Sequence, residues 1–404
     1  MIDRLLRRFV FDTASGARCP QLDCRLLLVA ITLLTLGVVM VASASLAISE
    51  RHVGQPWFYF SRQAVFAVLG LMVGAAVLRL RMSFWFKHDR AFLFIALGLL
   101  LLVLVPGIGR EVNGSQRWMN MGLFSLQVSE PARLFLLVYL AGYLVRKEDE
   151  VRASLQGFIK PMAVLIMACA LLIMEPDFGA TVVLLAAVIS MIFLAGVRLP
   201  FMGALLMLVG AVLTLLVIFS PYRMRRFMGF LDPWADPFDT GFQLTQSLIA
   251  IGRGEWFGVG LGGSIQKLFY LPEAHTDFVF AVYAEEMGLL GVLVLIALYA
   301  FIVWRAFSIA LVARKAGDVF SCYLAYGIGV WIGVQSVINM GVNMGILPTK
   351  GLTLPLMSYG GSSLIVMSAA IAILLRIDYE TRCCLDNMGS GSKKPSVRRR
   401  RRRT

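Results

Sequence analysis

Charged side chains are scarce in this sequence, and their scarcity excludes a water-soluble globular protein. Asp, Glu, Lys and Arg make up 15% of the 404 residues, whereas hydrophobic residues make up 59%. Soluble domains carry about 25% charged residues. We therefore expect one polytopic membrane domain with short tails, rather than the two or three soluble domains that the length would suggest.

Three further absences narrow the class of protein. No segment alternates apolar and polar residues with period two, which argues against a membrane β-barrel. No CxxC motif pairs with a second one, and none of the six cysteines falls in an outward loop, so neither a zinc site nor a disulfide framework is expected. No internal repeat is visible, so a transporter built from inverted halves loses its best support.

What the chain has instead is a series of ten apolar runs, which predicts an all-α bundle of ten transmembrane helices. Several runs reach the roughly 20 residues that a helix needs to cross hydrocarbon. The tripeptide EPD alone separates the fifth run from the sixth, which predicts a tight helical hairpin. The runs are 26–48, 60–78, 91–106, 124–144, 161–174, 178–196, 201–219, 278–303, 321–347 and 354–375.

The distribution of Arg and Lys predicts the orientation of the bundle. The loops on one side carry twelve of these residues, whereas the short loops on the other side carry four. Both tails are basic as well, so both termini are expected in the cytoplasm. The predicted parts are a cytoplasmic tail at 1–25, a membrane domain at 26–376 with a large outward loop at 220–277, and a disordered basic tail at 377–404.

The six consecutive arginines from Arg398 to Arg403 admit two interpretations. Such a run could bind nucleic acid. A basic arm next to a membrane domain is better explained by contact with anionic lipid of the inner leaflet, so we expect no nucleic-acid partner.

The outward loop has the composition of a lid or cradle over a cavity. Leu244, Leu248 and Ile251 follow helical spacing and predict a short helix on the membrane surface. The glycine-rich segment after it matches GxGxxG at Gly258, but no buried strand precedes the match. These glycines are instead expected to let the backbone pass close to a lipid or to another helix.

Ionisable residues at the rims of the apolar runs are the candidates for function. On the predicted topology six of them lie near the outer leaflet, where they either line a polar cavity or form interhelical ion pairs. They are Arg62, Glu130, Arg133, Asp177, Asp277 and Lys350. Of the deeper pair Glu285 and Glu286, one is expected to face a cavity and the other to be a paired structural carboxylate.

A cavity with several cations and one carboxylate suits an anionic, lipid-linked substrate. Arginine and lysine would hold a pyrophosphate, and a divalent cation (Mg or Mn) is expected to share that role. The sequence does not indicate which residues would bind this cation. Asp277 would act as general base on a sugar hydroxyl, in a single displacement that inverts the anomeric centre. With an ordinary pKa of about 3.9 it would be ionised at neutral pH.

Four stretches of this chain resemble the SEDS family (shape, elongation, division and sporulation). They are NGSQRWMNMGLFSLQVSEPARL, EPDFGATVVLL, the segment from YRMRRFMGFLDPW to HTDFVFAVYAEEMG, and INMGVNMGILPTKGLTLPLMSYGGSS. The last stretch and the basic tails resemble the division branch of the family. The resemblance implies a ten-helix peptidoglycan glycosyltransferase that polymerises lipid II outside the bacterial cytoplasmic membrane at the division septum.

The same resemblance implies partners and roles for particular residues. The partners would be the class B penicillin-binding protein FtsI, the FtsQ–FtsL–FtsB complex, lipid II and the undecaprenyl-pyrophosphate-linked glycan. Asp277 matches the essential Asp of the HTDF motif, and Arg62 with Gln63 matches an Arg-Gln pair. Glu130 and Arg133 match SE-x-x-K, although Arg133 replaces the usual Lys with a cation of different shape.

Three hypotheses remain open from the sequence: a polymerase, a lipid II flippase and a non-catalytic septal scaffold. In the polymerase, Asp277 would be the base, and Glu130 would pair with a cation or help to hold a metal. The residues expected to bind phosphates or to orient sugars are Arg62, Arg133, Arg223, Arg226 and Lys350.

Overall fold

The computed structural model describes residues 22–112, 115–120, 122, 125–153, 155–239, 241–349 and 351–391. Lys350 and the arginine run 398–403, both singled out from the sequence, lie outside the described residues.

Each of the ten apolar runs overlaps one helix, so the chain is a multi-pass membrane protein with a helical membrane part. In the described part, the helices that begin at Cys24, Phe58, Leu199, Val279, Val319 and Gly361 are long and apolar enough to cross a membrane, and shorter apolar helices are found at Ile159–Met174 and Phe178–Leu194. The helices are α1 Cys24–Val53, α2 Phe58–Arg79, α3 Met82–Lys87, α4 Asp89–Val103, α5 Ser129–Arg146, α6 Glu148–Ala153, α7 Leu155–Met174, α8 Phe178–Leu194, α9 Leu199–Ile218, α10 Pro221–Leu231, α11 Phe242–Arg253, α12 Val279–Lys315, α13 Val319–Asn343 and α14 Gly361–Gly391.

The hairpin predicted at EPD is confirmed, because α7 ends at Met174 and α8 begins at Phe178. Asp177 caps α8, since its Oδ1 accepts a hydrogen bond from the backbone N–H of Ala180 at 3.0 Å.

A small antiparallel sheet lies between α4 and α5, and the all-α prediction did not include it. Its strands are β1 Gly109–Val112, β2 Ser115–Asn120 and β3 Ser125–Gln127, in the order β1-β2-β3. Strands this short do not show an alternating pattern in the sequence. The sheet is fixed to the start of α14, because Ser362 Oγ accepts from the N–H of Gln127 at 2.9 Å and donates to the carbonyl of Ser125 at 3.2 Å.

The helix predicted in the outward loop is confirmed as α11. Its apolar face, however, does not lie on the membrane surface. Leu244 is buried, and the hydroxyl of Ser247 donates to the carbonyl of Asn343 at 2.8 Å. The apolar face therefore packs on the protein, against α12 and α13. A hydrophobic face has the same spacing whether lipid or protein covers it, which is why the sequence did not separate the two.

Helix α12 is interrupted at Gly288, whose backbone has φ 66° and ψ −170°. Residues 255–260 of the outward loop bind the interruption with four backbone hydrogen bonds, which join Val259 and Gly260 N–H to the carbonyls of 285 and 286, and the N–H of 289 and 290 to the carbonyls of 255 and 256. A Cβ at Gly258 would stand 2.1 Å from the carbonyl oxygen of Glu286. The expectation that this glycine lets the loop pass close to another helix is confirmed.

The last helix runs on to Gly391, so part of the tail predicted as disordered from 377 is helical. Charged side chains hold this extension to the bundle: Arg305 on α12 pairs with Asp378 at 3.3 Å and also with Asp23, the residue that caps α1. An apolar run indicates where a membrane segment ends, but a helix continues past it wherever ion pairs cover its sides.

Of the described helices that are long and apolar enough to cross a membrane, α9 is the least buried in the bundle. Of its residues, all of which the structure describes, Met202 and Leu205 are buried. The turn at its end leads directly into α10, which begins at Pro221. Helix α10 is therefore carried by a helix that lies largely against lipid.

Candidate functional site

A cavity of about 1300 Å³ opens at the end of the bundle that the charge distribution predicts to face outward. Six arginines and four carboxylates line it, so positive charge exceeds negative charge. Its charged and ionisable lining residues are Arg51, His52, Arg62, Arg110, Arg117, Arg223, Arg226, Glu130, Asp177, Glu273, His275 and Asp277. A cavity with this excess suits an anionic ligand.

Asp277 lies in the cavity wall, half-buried, two residues before α12. Two amides from α13 hold its backbone, because Asn339 and Asn343 Nδ2 donate to its carbonyl oxygen at 2.9 and 3.1 Å. On the opposite side is Gly351, where an added Cβ would stand 2.8 Å from Oδ2 of the carboxyl. The backbone of Asp277 is thus held by α13, and its carboxyl faces a position where a larger residue than glycine would meet it.

Burial raises the pKa of Asp277 to about 7, and the negative charge of Glu273 adds to the rise. The positive charges of Arg117 and Arg226 oppose it. The sequence-based assumption of an ordinary pKa was therefore wrong, because it took no account of burial. A carboxyl with a pKa of about 7 is a stronger base than an ordinary aspartate and is ionised in about half of the molecules at neutral pH.

His275 was not singled out from the sequence, although it stands two residues before Asp277 in HTDF. Its ring packs between Tyr59 and Tyr359, with centroid distances of 4.7 and 5.5 Å, and its carbonyl accepts from the N–H of Tyr359 at 2.9 Å. Burial lowers the pKa of the imidazole. This aromatic packing ties the HTDF segment to the loop before α14, and the spacing to Asp277 was the signal that could have found it.

Arg62 lies in the cavity wall as the sequence predicts. Its guanidinium stands 5.1 Å from the ring centroid of Phe58 and forms a hydrogen bond with Tyr359. The neighbouring Gln63 is buried and donates to the carbonyl of Ser358 at 3.2 Å. Arg62 is therefore a cation of the cavity wall, whereas Gln63 is a structural contact between α2 and the loop before α14.

Arg223 and Arg226 reach the cavity from α10. They are three residues apart, which places them on one face of the helix, and both line the cavity. Arg223 stands 5.3 Å from the ring centroid of Phe178 and donates to the carbonyl of Leu216 at 3.0 Å.

Glu130 lines the cavity, but Arg133 does not. Arg133 lies behind the wall. Its Nη1 donates to Oε1 of Gln335 at 2.8 Å and lies 3.6 Å from Oε2 of Glu130. The guanidinium lies over the ring of Trp331. The prediction that Arg133 binds substrate is therefore corrected: its side chain points into the bundle, one turn below Glu130. Spacing of three along a helix places two residues on one face but does not show which of them reaches the cavity.

Asp177 also lines the cavity. Its Oδ2 accepts a hydrogen bond from Ser129 Oγ at 3.0 Å, and its Oδ1, which caps α8, lies 3.7 Å from Nη1 of Arg117. Glu285 and Glu286 are both buried and paired with cations, and neither lines the cavity. The expectation that one of the two faces a cavity was wrong, because the outward loop covers both.

Comparison with known proteins agrees with the geometry. The family model of cell cycle proteins that covers FtsW, RodA and SpoVE matches residues 24–383. The chain is 56% identical to the probable peptidoglycan glycosyltransferase FtsW of Nitrosococcus halophilus over 93% of this chain and 97% of the relative, and 56% identical to that of Thioalkalivibrio sulfidiphilus over 89% and 90%.

Two solved structures have the same fold. One, from work on the coordination of polymerization and crosslinking by a peptidoglycan synthase complex, superposes with a TM-score of 0.73 at 30% identity, over 89% of this chain and 98% of that one. The other, the rod shape determining protein RodA of Thermus thermophilus, superposes with a TM-score of 0.65 at 30% identity, over 88% and 96%. The chain therefore belongs to the SEDS family of cell cycle proteins, and within that family it is similar to the FtsW branch.

Proposed function

We propose that this protein is a peptidoglycan glycosyltransferase that polymerises lipid II at the division septum. The observation that carries the proposal is the carboxyl of Asp277 in the wall of a cavity with six arginines. The FtsW relatives are probable peptidoglycan glycosyltransferases, which supports the same reaction class. The membrane arrangement that goes with it has ten crossings, both termini in the cytoplasm and the cavity outside.

In the proposed reaction Asp277 takes the proton from a hydroxyl of the acceptor lipid II. That oxygen forms a bond to the anomeric carbon of the growing glycan as the bond from that carbon to the lipid pyrophosphate breaks. One displacement inverts the anomeric configuration, and the pyrophosphate leaves as an anion that needs no protein acid. A positioned base of this kind contributes roughly 10²–10⁴-fold in rate.

The cations of the cavity have a separate role in this proposal, which is to hold the pyrophosphate. Arg62, Arg223 and Arg226 line the cavity and carry planar guanidinium groups that suit phosphate oxygens. Lys350 follows Thr349, which lines the cavity too, and is assigned the same role. Arg133 would act indirectly, by holding Gln335 and Glu130 in place.

A divalent cation fits this cavity only as a companion of the phosphates. Among the described residues no three His, Cys, Asp or Glu side chains are grouped closely enough to hold a metal. Mg²⁺ is commonly bound by one or two carboxylates together with substrate phosphates. Glu130 would supply such a carboxylate, since it lines the cavity, and the ion would neutralise charge on the leaving pyrophosphate.

The experiment that tests the proposal is incubation of the purified full chain with lipid II, followed by separation of the glycan products, alone and with a class B penicillin-binding protein. We expect polymer from the wild-type chain and none from Asp277→Asn, with lipid II binding retained. Polymer from Asp277→Asn would contradict the assignment of the base. Transbilayer movement of lipid II in vesicles without any polymer would favour a flippase, and normal septal division supported by Asp277→Asn would favour a scaffold.

A further inference from the structure

The segment that carries Asp277 is held at both ends by one short stretch of α12. It begins at Lys267 within the outward loop, passes through the cavity wall, and enters α12 at Val279. Within it, Phe269 and Glu273 have left-handed backbones, with φ of 71° and 56°. Residues without glycine's freedom adopt this region only where the surroundings force them to. Something outside the segment must therefore hold its shape.

A buried ion pair provides that hold at the Lys267 end. Lys267 Nζ donates to Oε1 of Glu286 at 2.7 Å and to Oγ of Ser43 at 2.8 Å, and Ser43 Oγ lies 2.6 Å from the same carboxylate oxygen. Lys267 and Glu286 are 8% and 1% exposed. The three side chains come from the outward loop, from α12 and from α1, so a single contact joins three parts of the molecule.

A second pair lies beside the first and fixes the residues that precede Lys267. Glu285 accepts from Arg253 Nη1 at 3.0 Å, from Ser264 Oγ at 2.5 Å and from the N–H of Ile265 at 3.1 Å. Both carboxylates directly precede the interruption at Gly288, where the loop residues 255–260 replace the missing hydrogen bonds of the helix. The start of α12 is thereby bound to the loop through its backbone and through its side chains.

We propose that Glu286, Lys267 and Ser43 form a positioning unit that sets the location of Asp277 in the cavity wall. The inference rests on the proposed function for its consequence, since it assigns these residues to the same reaction. None of the three lines the cavity, so they act through the backbone of residues 268–276 and do not touch the substrate. A base displaced by about 1 Å loses up to roughly 10²-fold in rate, so a buried ion pair at this place affects catalysis as well as folding.

The test compares two ion pairs that lie at opposite ends of the same helices. Glu286→Gln removes the charge of the positioning unit and keeps the size of the side chain. Asp23→Asn is the control, because Asp23 joins α1 to α12 by its pair with Arg305, far along α12 from Asp277, and Asn also caps helices well. The measurements are kcat and KM for lipid II, the melting temperature, and amide hydrogen exchange of residues 268–276.

For Glu286→Gln we expect kcat to fall about 10- to 100-fold with KM unchanged, and hydrogen exchange in 268–276 to rise. Asp23→Asn should lower the melting temperature and leave kcat and that exchange as in the wild type. Wild-type kcat in Glu286→Gln, or unchanged exchange in 268–276, overturns the positioning unit. The exchange measurement does not depend on polymerisation, so it decides the inference even where the wild-type chain makes no polymer and the proposed function fails.

If the Glu286→Gln protein does not fold, a second pair of variants at Lys267 tests the same inference. Lys267→Arg keeps the charge opposite Glu286, whereas Lys267→Met keeps the length and removes it. We expect Lys267→Arg to retain more kcat than Lys267→Met at matched melting temperature. Equal kcat values in the two variants overturn the inference.

Discussion

The backbone of Gly351 faces the carboxyl of Asp277, so that a Cβ added to Gly351 would stand 2.8 Å from Oδ2. Real Cβ atoms essentially never approach another atom this closely. The neighbour that must move is the end of a side chain, and that end is the proposed base. The absence of a side chain at residue 351 is therefore part of the geometry of the site.

Gly351→Ala should lower kcat about 10- to 100-fold, because the added methyl group displaces the carboxyl of Asp277. The melting temperature should change little, because the described atoms nearest to the added group, apart from its chain neighbours, belong to the side chain of Asp277. The measurement is polymerisation of lipid II at saturating substrate. Gly98→Ala is the matched control, because a Cβ there meets nothing within 4 Å, and wild-type activity in Gly351→Ala would contradict the proposed position of the base.

The pH dependence of the rate should report the pKa of Asp277. A general base works only when ionised, so activity should be low at acid pH and rise through about 7, the value to which burial raises this pKa. Glu273→Gln removes the negative charge that adds to the rise, and so it should move the midpoint to lower pH. The measurement is kcat/KM from pH 5 to 9, and an unchanged midpoint in Glu273→Gln would show that Glu273 has no influence on the carboxyl.

The arginines of α10 offer a prediction with an internal control. Arg226 lines the cavity, whereas Arg225, the next residue back along the same helix, does not. Loss of a charge-assisted hydrogen bond to phosphate costs about 1.5–3 kcal/mol, so Arg226→Ala should raise KM for lipid II about tenfold or more. Arg225→Ala should leave KM unchanged.

The same substitution at Arg226 should also raise the pKa of Asp277, whose carboxyl this guanidinium stabilises in the ionised form. The kinetics are therefore best compared at about pH 9, where the base is ionised in both proteins. Equal effects of the two α10 variants on KM would contradict the role of Arg226.

Glu175 should make the protein less stable as the pH rises. It is fully buried, and neither of its carboxylate oxygens has a hydrogen-bond partner among the residues that the structure describes. Burial, together with the negative charge of Asp177, raises its pKa to about 8. Between the ordinary carboxyl pKa and 8 the folded protein holds a proton that the unfolded chain has lost, so folding weakens by up to roughly 1.4 kcal/mol per pH unit.

Glu175→Gln removes this ionisation and should raise the melting temperature at pH 8 while changing it little at pH 5. Thermal unfolding in detergent at the two pH values checks the expectation. A variant that is less stable than the wild type at pH 8 would show that Glu175 has a stabilising partner in its ionised form.

The sequence predicted the helices of the membrane part well and the contacts between them poorly. A run such as 201–219 is apolar on all sides, and this property alone locates α9. The ends of α14 and the strands β1–β3 depend instead on partners distant in the chain, such as Arg305 for Asp378 and Ser362 for Gln127. These pairings leave no local pattern, so they could not be predicted.

In the candidate site, too, the sequence predicted which residues are present but not how each one is packed. Arg62, Glu130, Asp177 and Asp277 line the cavity, as charges at the rims of apolar runs suggested, and Arg223 and Arg226 of the outward loop line it too. Arg133 meets the same sequence criterion and yet lies behind the wall, and the pKa of Asp277 departs from its ordinary value because of burial. Orientation and burial are properties of the packed structure, so residue type and spacing do not determine them.

Because α9 is sparsely packed, the charges at the cavity could move without any change in the packing of the core. Arg223 and Arg226 are carried on α10 at the end of a membrane helix that buries little of its own surface, whereas Asp277 is anchored to the densely packed helix α13. A tilt of α9 in the lipid would carry two positive charges toward or away from a fixed negative one and leave the buried side chains in place. The thickness and composition of the surrounding bilayer would then act on substrate affinity without acting on the fold.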